Sequence, residues 1–236
     1  MKRSGQKIPH VAEIAWVLGV TLCALGVCLS ANSGFGVSMI AAPSLILFTF
    51  LSRFFPALTF GITEYILQGV LMVLLAVCLR RFKWKYPLAF LTGVLYGLSL
   101  DGWRLLFGQT VYATMPLRIV SAVAGALIST FAIALALRTY LPQQVYEMVV
   151  TEIVDKYGFS VNKVKWCYDL SSLAVAVIMM LCFFRKFDTG LIGVTTLVLT
   201  FVNTPLITMY GKIVDRFFTF DSAFPKFRAW FDRTLN

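Results

Sequence analysis

The 236 residues are 59% hydrophobic and only 14% charged, with a net charge of +10 and a mean hydropathy of +0.81. A water-soluble domain cannot hide that much apolar surface, so the composition argues against a soluble globule and puts most of the chain in lipid. One histidine and five scattered cysteines argue against an imidazole or thiolate metal centre. The cations gather at segment ends and form no groove with stacking aromatics, which argues against nucleic acid as a partner.

In chain order, Met1-Lys2-Arg3 precedes an apolar run to Ser30. It exceeds the roughly 7–15 residues of a signal-peptide core, so Ala12–Leu29 is expected to stay as a first spanning helix. A span needs about 20 mainly apolar residues. Further spans are expected at Tyr65–Leu79 with its polar lead-in, Pro87–Leu100, Leu117–Leu137, Leu170–Phe184 and Leu191–Met209. Two segments fit less well. Gly36–Phe50 follows Ser33-Gly34-Phe35 and carries Pro43, while Pro142–Gly158 is amphipathic with Glu147, Glu152 and Asp155. Pro142 suits a first helical position. The tail, residues 216–236, interleaves Phe and Trp with Lys and Arg, as an interfacial helix would.

The chain also repeats itself. Glu64 and Asp169 are 105 apart, as are Arg80 and Arg185, while Gly19 and Gly125, and Gly36 and Pro142, are 106 apart. The expectation is an all-α polytopic membrane protein forming one membrane domain over 1–236, with repeats at 12–110 and 117–215. Each repeat would hold three spanning helices plus one re-entrant or half-membrane helix. Three spans is an odd number, so the second copy is inverted, as in many carriers. The N-terminus, the loop at Arg80 and the C-terminal tail then share the cytoplasmic side, in line with retention of Lys and Arg there. Arg53, Arg104, Arg118, Arg185 and Lys186 fall outside.

Short motifs run through both halves: Ser33-Gly34-Phe35-Gly36, Phe60-Gly61-Ile62-Thr63, Leu98-Ser99-Leu100-Asp101-Gly102-Trp103, Leu141-Pro142 with Glu147, Lys165 four before Asp169, and Gly190-Leu191-Ile192-Gly193-Val194-Thr195-Thr196. In these the chain resembles the bacterial YczE/YyaS/YitT group of small integral membrane proteins, in particular its DUF6198-type members. The resemblance implies a multi-pass protein of the bacterial inner membrane. Where that group often has Gly-Pro late in the last span, this chain has Val202-Asn203-Thr204-Pro205.

An ionised Asp at a membrane helix centre costs about 2.5–3.5 kcal/mol on insertion scales, so such groups face a cavity, find a partner or hold a proton. Glu64 and Gln68 share one helix face, and Asp169 and Ser172 share the equivalent face in the second half. They are the expected substrate or proton site, with Asp101 and Glu147 as second candidates. Glu64 and Asp169 are expected to converge across the axis that exchanges the halves, where two carboxylates disfavour double ionisation and make binding pH-dependent. The structural alternatives are helix-start acids for Glu64 and Asp169, an Asp101–Arg104 pair, a Lys165–Asp169 pair and a solvated helix around Glu147. Aromatic residues beside the acids (Tyr65, Tyr96, Tyr168, Trp166) would suit an organic cation.

No His-Glu-x-x-His helix, Walker-type loop or dinucleotide fingerprint occurs, so neither enzymatic chemistry nor a cofactor is expected. The reading is a small-solute secondary transporter with proton coupling, its partners the lipid bilayer and a small molecule, compatible with a homo-oligomer. The alternatives are a membrane-embedded substrate-binding subunit of an ATP-driven uptake system and a non-transporting accessory protein.

Overall fold

Backbone N–H and C=O groups find no water in lipid, so apolar segments satisfy them internally as helices. The computed structural model describes residues 8–222, and there the chain forms eight helices. They are α1 (Ala12–Ser33), α2 (Ala42–Leu51), α3 (Phe60–Leu79), α4 (Lys85–Phe107), α5 (Met115–Ala136), α6 (Val145–Tyr157), α7 (Val161–Phe184) and α8 (Val194–Phe217). Two four-residue strands, β1 (Ile8–Val11) and β2 (Phe218–Asp221), pair in parallel and bring the two ends of the described chain together. Nothing in the apolar periodicity announced them.

Five helices, α1, α3, α5, α7 and α8, are long and apolar enough to cross a membrane. The sixth expected span, α4, has 23 residues, but Asp101 and Arg104 lower its hydropathy and it is not among the five. At about 1.5 Å per residue, α2 with 10 residues and α6 with 13 reach roughly 15 and 20 Å, short of a hydrocarbon core of about 30 Å.

Several boundaries differ from the sequence expectation. α3 starts at Phe60 and α7 at Val161, so Glu64 and Asp169 lie inside their helices and not at the first residue. Thr59 starts α3: its hydroxyl accepts from the Ile62 N–H at 3.1 Å. Pro142 is not the first helical residue of α6. It stays in the loop, where its carbonyl accepts from the Trp16 indole at 2.9 Å and the Thr92 hydroxyl at 3.0 Å, while Gln144 precedes the helix. The expected interfacial tail helix lies mostly outside the described residues; α8 runs to Phe217 and gives way to β2.

α1 and α5 pack against each other along their length. A Cβ on Gly26 would stand 2.6 Å from the Gly125 carbonyl, and one on Gly19 would stand 3.1 Å from that of Ala132. Gly19 meets Ala132 and Gly26 meets Gly125, so the two helices run antiparallel. The short helices are shared between the halves: α2 packs on α3 and α7, and α6 packs on α7, α3 and α4. The loop after α5 is tied to α8 by Arg138, which pairs with Asp215 at 2.8 Å, and the α3–α4 loop is tied to α6 by Lys83, which pairs with Glu152. At the opposite end, Arg118 donates to the Ser33 carbonyl at 2.7 Å, Asn32 to that of Gly108 at 3.0 Å, and the Thr195 N–H to that of Phe35 at 3.0 Å.

The polarity of the bundle is that of a lipid-solvated protein. On α3, Val70, Val73 and Val77 face out, whereas Thr63, Glu64 and Gln68 are buried. On α7, Val175 and Ile178 face out while Lys165 and Asp169 are buried. Apolar residues outside and polar residues inside need a solvent that is itself apolar.

Candidate functional site

Gln144 and the first three residues of α6 hold on to α3 and α7. Gln144 accepts from the Gln68 amide at 3.3 Å, and the Val145 N–H donates to the Gln68 carbonyl oxygen, also at 3.3 Å. Gly93 on α4 leaves the room for this: a Cβ there would sit 2.4 Å from that oxygen. Tyr146 donates to Glu64 Oε2 at 2.6 Å. Glu147 accepts from Lys165 Nζ at 2.8 Å, and Lys165 lies 3.7 Å from Asp169 Oδ1. That last distance is an ion pair without a hydrogen bond, which leaves Asp169 Oδ1 without a donor.

A cavity of about 60 Å³ lies against this chain of contacts. One buried water needs roughly 10–15 Å³ on that scale, so the space suits a few non-hydrogen atoms. Glu64 and Glu147 supply its carboxylates, Gln143, Gln144 and Asn203 its amides, Trp16, Tyr96 and Tyr146 its aromatic faces, and residues such as Val20, Val27, Ile133 and Leu199 its apolar walls. Glu64 is fully buried, and its Oε1 has no hydrogen-bond partner; the same holds for Gln143 Oε1. Because Trp16 lines the cavity and holds the Pro142 carbonyl, it fixes the 139–144 loop as one wall.

The expected site residues divide. Glu64 and Glu147 line the cavity, and Gln68 stands behind it, holding the start of α6. Asp169 is buried but outside the lining and reaches it only through Lys165 and Glu147. The expected meeting of Glu64 and Asp169 is therefore indirect: each is held by its own residue of α6, and no contact between the two carboxylates occurs among the described residues. Ser172 is half-buried beside Tyr168, away from the lining.

Asp101 does a different job. It accepts from the Thr59 hydroxyl at 2.5 Å and the Gly61 N–H at 2.8 Å, which spends it on the start of α3. The expected Asp101–Arg104 pair is replaced by these contacts, while Arg104 donates to the Gln109 carbonyl and lies over the Phe48 and Phe60 rings. The solvated-helix alternative for α6 does not hold either. Glu152 is 3% exposed and is bound by Lys83, Lys85 and the Tyr86 hydroxyl. Burial pushes its carboxyl up, but the two lysines prevail and hold it below the ordinary range.

Sequence reasoning missed Gln143, Gln144, Tyr146, Trp16 and Asn203. The signal for the first three was an amide pair and a Tyr-Glu step directly after Pro142, in a segment too polar to face lipid. Asn203, at the position that departs from Gly-Pro, is buried, lines the cavity and accepts from Thr130 at 3.3 Å.

Among the described residues, no group of three or more His, Cys, Asp or Glu side chains is placed to hold a metal ion. Residues 11–212 match the family described as Family of unknown function (DUF6198). Neither a curated protein nor a solved structure matches the chain.

Proposed function

We propose that this chain, which belongs to the DUF6198 family, is a proton-coupled secondary transporter of a small solute, built from two inverted halves. Support for the inverted halves comes from the α1–α5 crossing. Gly26 precedes Ala132 by 106 positions and Gly19 precedes Gly125 by 106, so the contact Gly26–Gly125 becomes Gly19–Ala132 when the halves are exchanged. The pairs α2 with α7 and α6 with α3 exchange in the same way. Arg80 and Arg185, equivalent by position, both end their helices in the left-handed conformation, at φ 49° and 53°.

On this reading α2 and α6 are half-membrane helices that start inside the bundle and return to the side their loops came from. Carriers place such discontinuous elements at their substrate sites, because irregular backbone at membrane depth is tolerated where it lines a cavity. Both chain ends would face the cytoplasm of a bacterial cell.

One observation carries the transport reading: a fully buried carboxylate, Glu64, one of whose oxygens lacks a hydrogen-bond partner, lines a cavity at the junction of the halves. A group so costly to bury serves either a partner or a proton, and Glu64 has a donor on only one of its oxygens. The test is uptake into liposomes containing the purified protein, with a pH gradient imposed across the membrane. Gradient-driven uptake of a small solute by the wild type, lost in Glu64→Gln at unchanged melting temperature, is the expected result. Uptake that is indifferent to the gradient and to Glu64→Gln would sink the proton coupling.

A further inference from the structure

We infer that the cavity beside Glu64 is a binding site for a small primary ammonium ion, either ammonium or a short alkylammonium. As the solute carried, it rests on the transporter reading; as a ligand, it stands by itself.

The first argument is the sign of the unmet hydrogen bonds. The two buried polar side-chain atoms of the lining that lack a partner are Glu64 Oε1 and Gln143 Oε1. Both are acceptors in this arrangement, so the complementary ligand is a donor with at least two N–H groups. A primary ammonium carries three; a quaternary ammonium carries none.

The second argument is charge. Around the start of α6 stand Glu64, Glu147 and Asp169 against one ammonium, that of Lys165. Lys165 is committed to Glu147 and Asp169, at 2.8 and 3.7 Å, and Glu64 receives the neutral Tyr146 hydroxyl and pairs with no cation among the described residues. Glu147 itself stands in the first turn of α6. An anion would meet two carboxylates, Glu64 and Glu147, in the wall.

Size and wall chemistry narrow the class. About 60 Å³ takes a few non-hydrogen atoms. Val20, Val27, Ile133 and Leu199 suit a methyl or ethyl group, and the faces of Trp16, Tyr96 and Tyr146 suit a cation beside it. A bare Mg²⁺ or Ca²⁺ prefers six or more oxygens, which a largely apolar wall does not supply.

The experiment uses the full chain in detergent and follows thermal unfolding with methylammonium chloride against sodium chloride at equal ionic strength. Methylammonium and ammonium are expected to raise the melting temperature saturably, and tetramethylammonium and sodium acetate are not. Glu64→Gln should abolish the shift. Gln143→Leu, which leaves the carboxylate in place, should weaken apparent affinity about tenfold or more, as loss of one hydrogen bond to a charged group does. No saturable shift with methylammonium, an equal shift with tetramethylammonium, or an equal shift in Glu64→Gln would overturn the inference. Binding without liposome uptake of labelled methylammonium would keep the ligand class and remove the transporter. Uptake of a solute that is not an amine, without methylammonium binding, would do the reverse.

Discussion

Tyr146 of α6 donates its hydroxyl hydrogen to the buried carboxylate of Glu64 of α3 at 2.6 Å. The first turn of a short helix in one half is thus anchored on an acid of the other half. Tyr146→Phe removes one oxygen and little volume, and takes this donor from Glu64. The expected cost is about 1–3 kcal/mol, the penalty for an unsatisfied buried group. A charged carboxylate misses the donor more than a neutral one, so the loss should grow as pH rises. Melting curves of wild type and Tyr146→Phe across pH would check it; parallel curves would mean that Glu64 takes another donor.

Lys165 is the one ammonium placed between Glu147 and Asp169, and all three lie within the bundle wall. Lys165→Met keeps the length and removes the charge. Two acids then face each other without a cation, and breaking a buried pair in this way costs about 3–5 kcal/mol. Adding Asp169→Asn should return part of it. A double-mutant cycle on melting temperature separates coupling from simple loss of packing; strict additivity of the two changes would show that Lys165 and Asp169 act independently.

Glu152 gives the pH dependence its sign. Burial opposes its ionisation, but Lys85 and Lys83 hold its folded-state pKa below the ordinary value. The unfolded value lies near about 4.3. Its contribution to stability is therefore full above that pH and is lost as pH falls through the lower folded value. Glu152→Gln should cost about 1–3 kcal/mol at neutral pH, moderated by the partial exposure of both lysines. In acid the gap between variant and wild type should close. A gap that is constant down to the acid limit would assign the loss to packing.

The half-membrane reading of α2 and α6 fixes which loops share a side. Single cysteines at 54, 109 and 188 should label together from one face of the membrane, and those at 83 and 139 from the other, on a background with the five native cysteines replaced. Labelling of 83 from the face opposite to a cysteine at residue 2 would make α2 a full crossing.

The apolar runs by themselves determined the helical class and the lipid solvent, because segments of spanning length are a property of the chain order alone. Burial of Glu64 was legible too, since an acid inside an apolar run has few places to go. Tertiary structure decided the partners. Asp101 serves the start of α3 because the Gly61–Gly97 crossing brings the two helices close enough. Tyr146 and Gln143 face the cavity because α6 begins at Val145, three residues after the proline that the sequence marks as its start. Asp169 stands outside the lining because Lys165, one turn earlier on the same helix, reaches Glu147 first. Spacing along one helix determines which residues share a face; which face meets which neighbour depends on helix crossings that no single segment encodes.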